Sequence, residues 1–415
     1  MANTAPPPSP ALRDGLARLV EAQEAMVART ERWSAINSGS RELAGLARMR
    51  DALLDAFAAL PGALERIPLA PSRRVTAAGD LVDDPHGDAI ALRVRPDAPI
   101  QVALTGHYDT VFPASHPFQT PQRRADGALH GPGCADMKGG LSVMLAALDA
   151  FERLPEARHV GYAILLSPDE EIGSPASAPL LAALGARAHV GMTYEPALAS
   201  GALVGARKGS GNFSLALHGR AAHVGRAFAD GASAVVAAAD AALRLHALND
   251  RRDGVTVNIG AIDGGGPVNV VPDRAVVRFN VRAPDASAQA WAEREIAAAI
   301  AAAARPGVSA TLHGGFTRPP KPLSPALEAA IAWARDAGAQ LGLDLQFGSS
   351  GGVCEGNNLT AAGCPTIDTL GPCGGALHSD EEFALIDSFA ERAQVSFLML
   401  AALAEGRFDP RGLRA

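Results

Sequence analysis

Gln101-Val102-Ala103-Leu104-Thr105, followed by Gly106-His107-Tyr108-Asp109-Thr110, is a short apolar run that ends in side chains able to hold a metal. Two more runs share that form. Tyr162–Leu166 leads into Ser167-Pro168-Asp169-Glu170-Glu171, and Val190–Thr193 leads into Tyr194-Glu195-Pro196. Continuous apolar runs of this length read as strands buried on both faces. A helical segment from about Gly140 to Phe151 separates the first two. Buried strands alternating with helices predict an α/β fold built on a mixed, largely parallel sheet. In such sheets ligands bind beyond the carboxyl ends of the strands. All three polar clusters fall at that end.

Upstream, Ala11 to about Leu60 carries a helical pattern broken at Asn37-Ser38-Gly39-Ser40, where a cap or turn is expected. Downstream, the texture changes near Gly205. Gly211–Gly219 alternates like a strand, Ala232–Leu248 reads as an Ala-rich helix, and Val255–Ile262 and Arg274–Arg282 as strands. Ala286–Ala304 is a second helix and Val308–His313 a last strand. That order, strand-helix-strand-strand-helix-strand, is a ferredoxin-like α+β sandwich. The Pro-rich Arg318-Pro319-Pro320-Lys321-Pro322 closes the insert like a hinge. Residues 1–204 and 318–415 are thus expected to form one unit, with 205–317 inserted into it. Residues 1–10 and 406–415 are expected to be loose termini.

At 415 residues the chain exceeds one ordinary domain, in line with that division. Its net charge of -7 leaves no basic footprint for nucleic acid or an acidic membrane surface, so neither is expected as a partner. Cys134, Cys354, Cys364 and Cys373 show no paired spacing, which suits reduced thiols. No basic head followed by an apolar run opens the sequence, and no stretch approaches a membrane span. A cytoplasmic location is expected.

His107 and Asp109 stand two apart at a strand end and so point to one side. Asp136 lies in Gly131-Pro132-Gly133-Cys134-Ala135-Asp136-Met137-Lys138-Gly139-Gly140, a Gly-rich turn before a helix. Glu170 and Glu171 are adjacent carboxylates that can face different ways, one toward a metal and one toward a water. Glu195 adds another carboxylate, and His378, in Gly375-Ala376-Leu377-His378-Ser379-Asp380, a late imidazole. Nitrogen and oxygen donors without cysteine suit Zn²⁺, with Mn²⁺ or Co²⁺ as substitutes. Taken singly, each piece is bland: a surface turn, an acidic first turn of a helix, a solvated strand end. Their weight comes from the sheet that gathers them at one rim.

These motifs, with Ala221-Ala222-His223, resemble the family that contains glutamate carboxypeptidase, acetylornithine deacetylase, succinyl-diaminopimelate desuccinylase and aminoacylase. The match runs from about Trp33 to Leu400, and its wording is nearest the glutamate-carboxypeptidase branch. The resemblance implies two Zn²⁺ per subunit: His107 and Glu195 on one, Glu171 and His378 on the other, and Asp136 bridging both. It implies Asp109 as partner of the His107 ring, Glu170 as general base, and a cis peptide at Asp136-Met137. It makes 205–317 a lid and dimerisation unit, hence a homodimer. His223 would reach the scissile carbonyl, often from a partner subunit, and Arg282 would hold the substrate carboxylate beside Asn269. Gly352 would touch substrate from the loop Ser349–Asn357, which departs from the family wording, as does Val224 after His223. Those departures bear on substrate identity.

The implied activity is hydrolysis of an amide bond next to a free carboxylate, in an N-acyl amino acid or short peptide. A catalytically inactive metal- or ligand-binding member of the same fold is the alternative, and an intact ligand set with Glu170 argues against it. A nucleotide-binding α/β protein is disfavoured, because no Gly-rich fingerprint follows a strand at the required spacing.

Overall fold

The computed structural model describes residues 9–414. Its central sheet has six strands in the order Ala63–Ile67, Ala89–Val94, Val160–Ser167, Ile100–His107, Val190–Thr193 and Thr366–Ile367. Ile100–His107 pairs in parallel with both neighbours, and Thr366–Ile367 extends the parallel part. The first two strands are antiparallel additions at the other edge. The sheet is therefore mixed, with parallel strands where the apolar runs predict them. Strands between 63 and 94 escape the sequence reading. The first three are largely exposed and carry no continuous apolar run, whereas Ala89–Val94 is mostly buried and its short run Ala89–Leu92 goes unread.

Ile100–His107 is buried at every position but Gln101, because helices cover both faces. Lys138–Glu152 and the long Ser388–Ala404 lie on one side, with Pro10–Glu21 and Gln23–Ser34 against them. Ala178–Gly185 and Glu355–Ala361 lie on the other. Leu104, Leu141, Leu166, Met192 and Phe397 are fully buried within this core. Transfer of such side chains out of water, roughly 1.5–3 kcal/mol each, is what holds the sheet and its helices together.

A separate antiparallel sheet runs Thr256–Gly264, Arg274–Ala283, Gly209–His218, Ser309–Arg318. Helices Ala234–His246 and Ala286–Ala302 cover one face, around Leu215, Val277, Phe279 and Ile296. Side chains of Ser233 and Asp285 accept from backbone N–H groups to cap those helices. Strand and helix order match the expected sandwich, and the other face of this sheet is polar apart from Ala216 and Val276, which pack on Val75.

Two expectations need correction. The proposed hinge is a clasp: Arg318 and Lys321 are buried, and Arg207 and Lys321 exchange backbone hydrogen bonds of 2.8 and 3.0 Å. Asp368 receives Arg207 Nε at 2.9 Å and Lys321 Nζ at 2.7 Å, so both chain crossings are pinned to the central sheet. The prolines concealed buried charge rather than flexible chain. The C-terminal stretch is also docked, since the Phe408 ring stacks on Trp333 at 5.0 Å between centroids. At the other end Pro10 already opens a helix capped by Ser9, and residues 1–8 lie outside the described residues.

Candidate metal centre

His107 ends its strand fully buried at the carboxyl rim of the central sheet. Glu170 and Glu171 form a single 3-10 turn just beyond Val160–Ser167, and Glu195 follows Val190–Thr193 by two residues. Asp136 reaches them because Gly140 allows the helix after it to press on the backbone of Tyr194. A Cβ at Gly140 would stand 1.9 Å from the Tyr194 carbonyl oxygen. His378 comes from far along the chain, and a small second sheet delivers it. Cys373–Gly375 pairs with Ala197–Leu198, just past Glu195, and with Phe383–Leu385. Phe383–Leu385 pairs in turn with Ala128–His130, just before the Asp136 turn. His378 itself adopts φ 62°, an uncommon backbone for a residue with a Cβ.

The two oxygens of Asp136 face different imidazoles. Oδ1 lies 3.0 Å from His107 Nε2 and Oδ2 lies 3.4 Å from His378 Nε2. Glu195 Oε2 is 3.8 Å from His107 Nε2, and Glu171 Oε2 is 3.1 Å from His378 Nε2. Donor atoms of His107, Asp136 and Glu171 all fall within 4.8 Å of one another, as do those of His107, Glu170 and Glu195. Glu170 is thus within ligand reach too, but its Oε1 is engaged by Arg318 Nη2 at 2.7 Å. The Asp136–Met137 peptide is cis.

Electrostatically the cluster is short of positive charge. Burial pushes the Glu195 carboxyl up to about 7, and Asp136 nearby adds to that. Burial and then Asp136 push Glu171 well above the usual carboxylate range. Hydrogen bonds to Asp136 and Glu171 raise His378 to about 11. Burial works against a charged His107, yet its bonds to Asp109, Asp136 and Glu195 outweigh that and raise its pKa. Asp136 is held low, because the two imidazoles overcome its own desolvation. The buried Glu195 Oε1 has no hydrogen-bond partner. An orphan acceptor among crowded carboxylates is what a divalent cation would satisfy, and imidazole with carboxylate is a fitting donor set. The residues present fit a metal.

Of the residues that support the cluster, Asp109 stands where the sequence expects it, whereas Glu382, Glu355 and Asn358 gave no sequence signal. Asp109 lies behind His107, with Oδ1 3.3 Å from Nδ1. It also accepts the backbone N–H groups of Glu170 and Glu171 at 3.1 Å each and the Ser40 hydroxyl at 2.8 Å. One carboxylate therefore fixes both the imidazole and the acidic turn. Glu382 accepts the N–H groups of Gly133, Ala135 and Asp136 and so shapes the Asp136 turn. In the sequence it looks like the end of an acidic surface run, Asp380-Glu381-Glu382. Glu355, buried on the helix behind the rim, binds the Ser167 hydroxyl, and Arg318 is steadied by Asn358 Oδ1 at 2.8 Å.

The remaining expected residues divide. Arg282 donates to the Gly351 carbonyl at 3.3 Å, which brings it beside the Gly352 loop, and Glu170 lies near enough to act on its charge. His223 and Asn269 sit together elsewhere, at the rim of the four-stranded sheet. Val224 N–H donates to the Asn269 carbonyl at 3.1 Å, and the exposed His223 ring accepts from Gly225 N–H. Among the described residues nothing joins His223 or Asn269 to the carboxylates within one chain.

The model of peptidase family M20/M25/M40 matches residues 103–402, a span that contains all five clustered ligand candidates. The chain belongs to that family. It is 26% identical over 336 residues to carboxypeptidase G2 of Pseudomonas sp., covering 77% of this chain and 78% of that one. It is 30% identical over 308 residues to succinyl-diaminopimelate desuccinylase of Bordetella petrii, covering 68% and 77%. In fold it resembles a tripeptidase of Staphylococcus aureus, with a TM-score of 0.70, 21% identity, and coverage of 92% and 99%. Human carnosine dipeptidase 1 gives a TM-score of 0.67 at 15% identity, covering 95% and 100%. This M20/M25/M40 protein is accordingly a metal-dependent hydrolase of amide bonds. Among the described residues, no helix is long and apolar enough to cross a membrane.

Proposed function

We propose that this M20/M25/M40 peptidase releases a carboxylate-bearing amino acid from a short peptide or N-acyl derivative, using two divalent cations, Zn²⁺ by preference. The observation that carries this is Asp136, whose two oxygens face His107 and His378 separately. In this reading His107 and Glu195 would hold one cation and Glu171 and His378 the other, with Asp136 available to both. Relatives named for a carboxypeptidase and a desuccinylase support the substrate class.

When bound, such cations acidify water and polarise the amide carbonyl. The chain's own residues do the rest. Arg318 and the turn held by Asp109 aim the Glu170 carboxylate, which takes a proton from the attacking water. As the C–N bond breaks, Glu170 passes that proton to the departing nitrogen, leaving a carboxylate and an amine. Arg282 holds the carboxylate of the leaving amino acid. His223 and Asn269 serve the site only if another copy supplies them or the insert closes, which makes 205–317 a lid in a homodimer. Four buried, unpaired cysteines suit a reducing, cytoplasmic setting.

Replacing Glu170 with Gln tests the assignment. Metal content by emission spectroscopy should stay at wild-type level while turnover of N-acyl amino acids drops by roughly 10²–10⁴-fold. Near-normal turnover would remove Glu170 from its role, and loss of metal would make it a ligand instead.

A further inference from the structure

Outside the metal rim, the polar face of the four-stranded sheet carries three asparagines in one row. Asn212, Asn280 and Asn258 stand directly opposite one another on adjacent strands. They line a cleft of about 580 Å³ whose near wall is Ile172 and Pro175, from the segment that follows Glu170 and Glu171. The row and Arg282 are coupled. Arg282 Nε donates to Asn280 Oδ1 at 2.9 Å, and Asn280 Nδ2 donates to Asn212 Oδ1 at 2.8 Å.

That chain of bonds has two consequences. First, the guanidinium is fixed on its Nε side by Asn280 and at Nη1 by the Gly351 carbonyl, so its free hydrogens point end-on. Second, Asn212 has its oxygen engaged, and its amide hydrogens have no partner among the described residues. Asn258 is exposed and its side chain makes no hydrogen bond there either. Two residues along a strand cover about 6.6 Å, the step from Arg282 to the row. A substrate whose carboxylate rests on Arg282 has unpaired amide donors within reach of its next few atoms.

We propose that Asn212, Asn280 and Asn258 form a specificity subsite for the leaving amino acid, selecting a side chain that ends in a hydrogen-bond-accepting oxygen over an aliphatic one. Asn212 and Asn258 touch that side chain, and Asn280 acts as a positioning residue for Arg282. The inference rests on Arg282 as carboxylate anchor.

The test uses the full-length, metal-loaded enzyme and paired substrates sharing an acyl group (acetyl, succinyl, benzoyl or alanyl) on glutamine or on leucine. The wild type should favour glutamine at least about tenfold in kcat/KM, the worth of one or two well-placed hydrogen bonds. An Asn212→Leu/Asn258→Leu double variant should bring the two substrates to within about threefold, through KM for glutamine. Both side chains are exposed, and without Asn212 the Asn280 amide still donates to Ser210 and the Gly211 carbonyl, so melting and metal content should not change. A wild type without preference, or a double variant that keeps it, overturns the subsite. Arg282→Met separates the underlying assignment: it should raise KM for both substrates alike. An unchanged KM would remove the anchor whatever the asparagines do. If neither series is hydrolysed, the amidohydrolase assignment falls and the subsite with it.

Discussion

Two clusters of buried charge in this protein are built in opposite ways. Beneath the clasp, Asp368 lies between Arg207 and Lys321, all three buried, and every carboxylate oxygen has a cation or thiol partner. At the rim, Asp136, Glu171 and Glu195 crowd against two imidazoles, and Glu195 keeps an orphan oxygen. The first arrangement closes on itself and leaves its acid low, because Arg207 and Lys321 overcome burial. The second pushes two of its acids up, because burial and the neighbouring Asp136 outweigh the imidazoles. A complete cluster holds the chain in place. An incomplete one is completed by a ligand.

The largest expected effect comes from breaking the complete cluster. Asp368→Ala would strand Arg207 and Lys321 in the interior, a loss of roughly 3–5 kcal/mol in urea unfolding. Because those cations tie both crossings to the sheet, the insert should also become open to proteolysis at Arg318–Pro322. Metal bound per folded chain should not change. A loss below 1 kcal/mol would mean that the clasp is held by its backbone pairing alone.

Glu355 tests the boundary between the two kinds of cluster. It is fully buried with one oxygen on Ser167 and the other unpartnered. Burial pushes it up to about 8, with the Ser167 bond and Arg318 opposing. A carboxyl raised above its unfolded value stabilises the fold fully only below the unfolded pKa. That stability is lost as pH climbs through the folded pKa. Wild-type stability should therefore fall between pH 5 and pH 8 by on the order of 3 kcal/mol from this group. Glu355→Gln keeps a partner for Ser167 and removes the slope, so the variant should be the more stable protein at pH 8 and nearly equal at pH 5. Parallel slopes would place a charged Glu355 in a better-compensated site.

How legible these clusters were follows from what each residue does in the linear pattern. His107, Glu170, Glu171 and Glu195 follow continuous apolar runs, and a strand buried on both faces has no other sequence signature. The four-stranded sheet was equally plain, since alternation marks a strand covered on one side only. Arg207, Asp368, Lys321, Glu355 and Glu382 were invisible for the opposite reason. A charged residue reads as surface unless its partner is known, and these partners lie 47 to 249 residues away. Arg318 was hidden by prolines that suggested a hinge. The short ladders that carry His378 to Asp136 are two or three residues long, below any periodic signal.

The smallest predicted effect sharpens the comparison most. In the absence of metal, Glu171 is a liability: burial and Asp136 both disfavour its charge. The sign is the same as for Glu355, so the cost grows with pH above the ordinary carboxylate range. Glu171→Gln should therefore stabilise the chelator-treated protein by roughly 1 kcal/mol at pH 7, as removal of functional strain commonly does, and hardly at all at pH 5. Added zinc should reverse the order, because the wild type gains binding energy that the variant has lost. Such a crossing of the two melting series requires that a cation, rather than a proton, be the intended partner of this carboxylate. A variant less stable than wild type under chelation would put Glu171 with Asp368, among charges that hold the fold together by themselves.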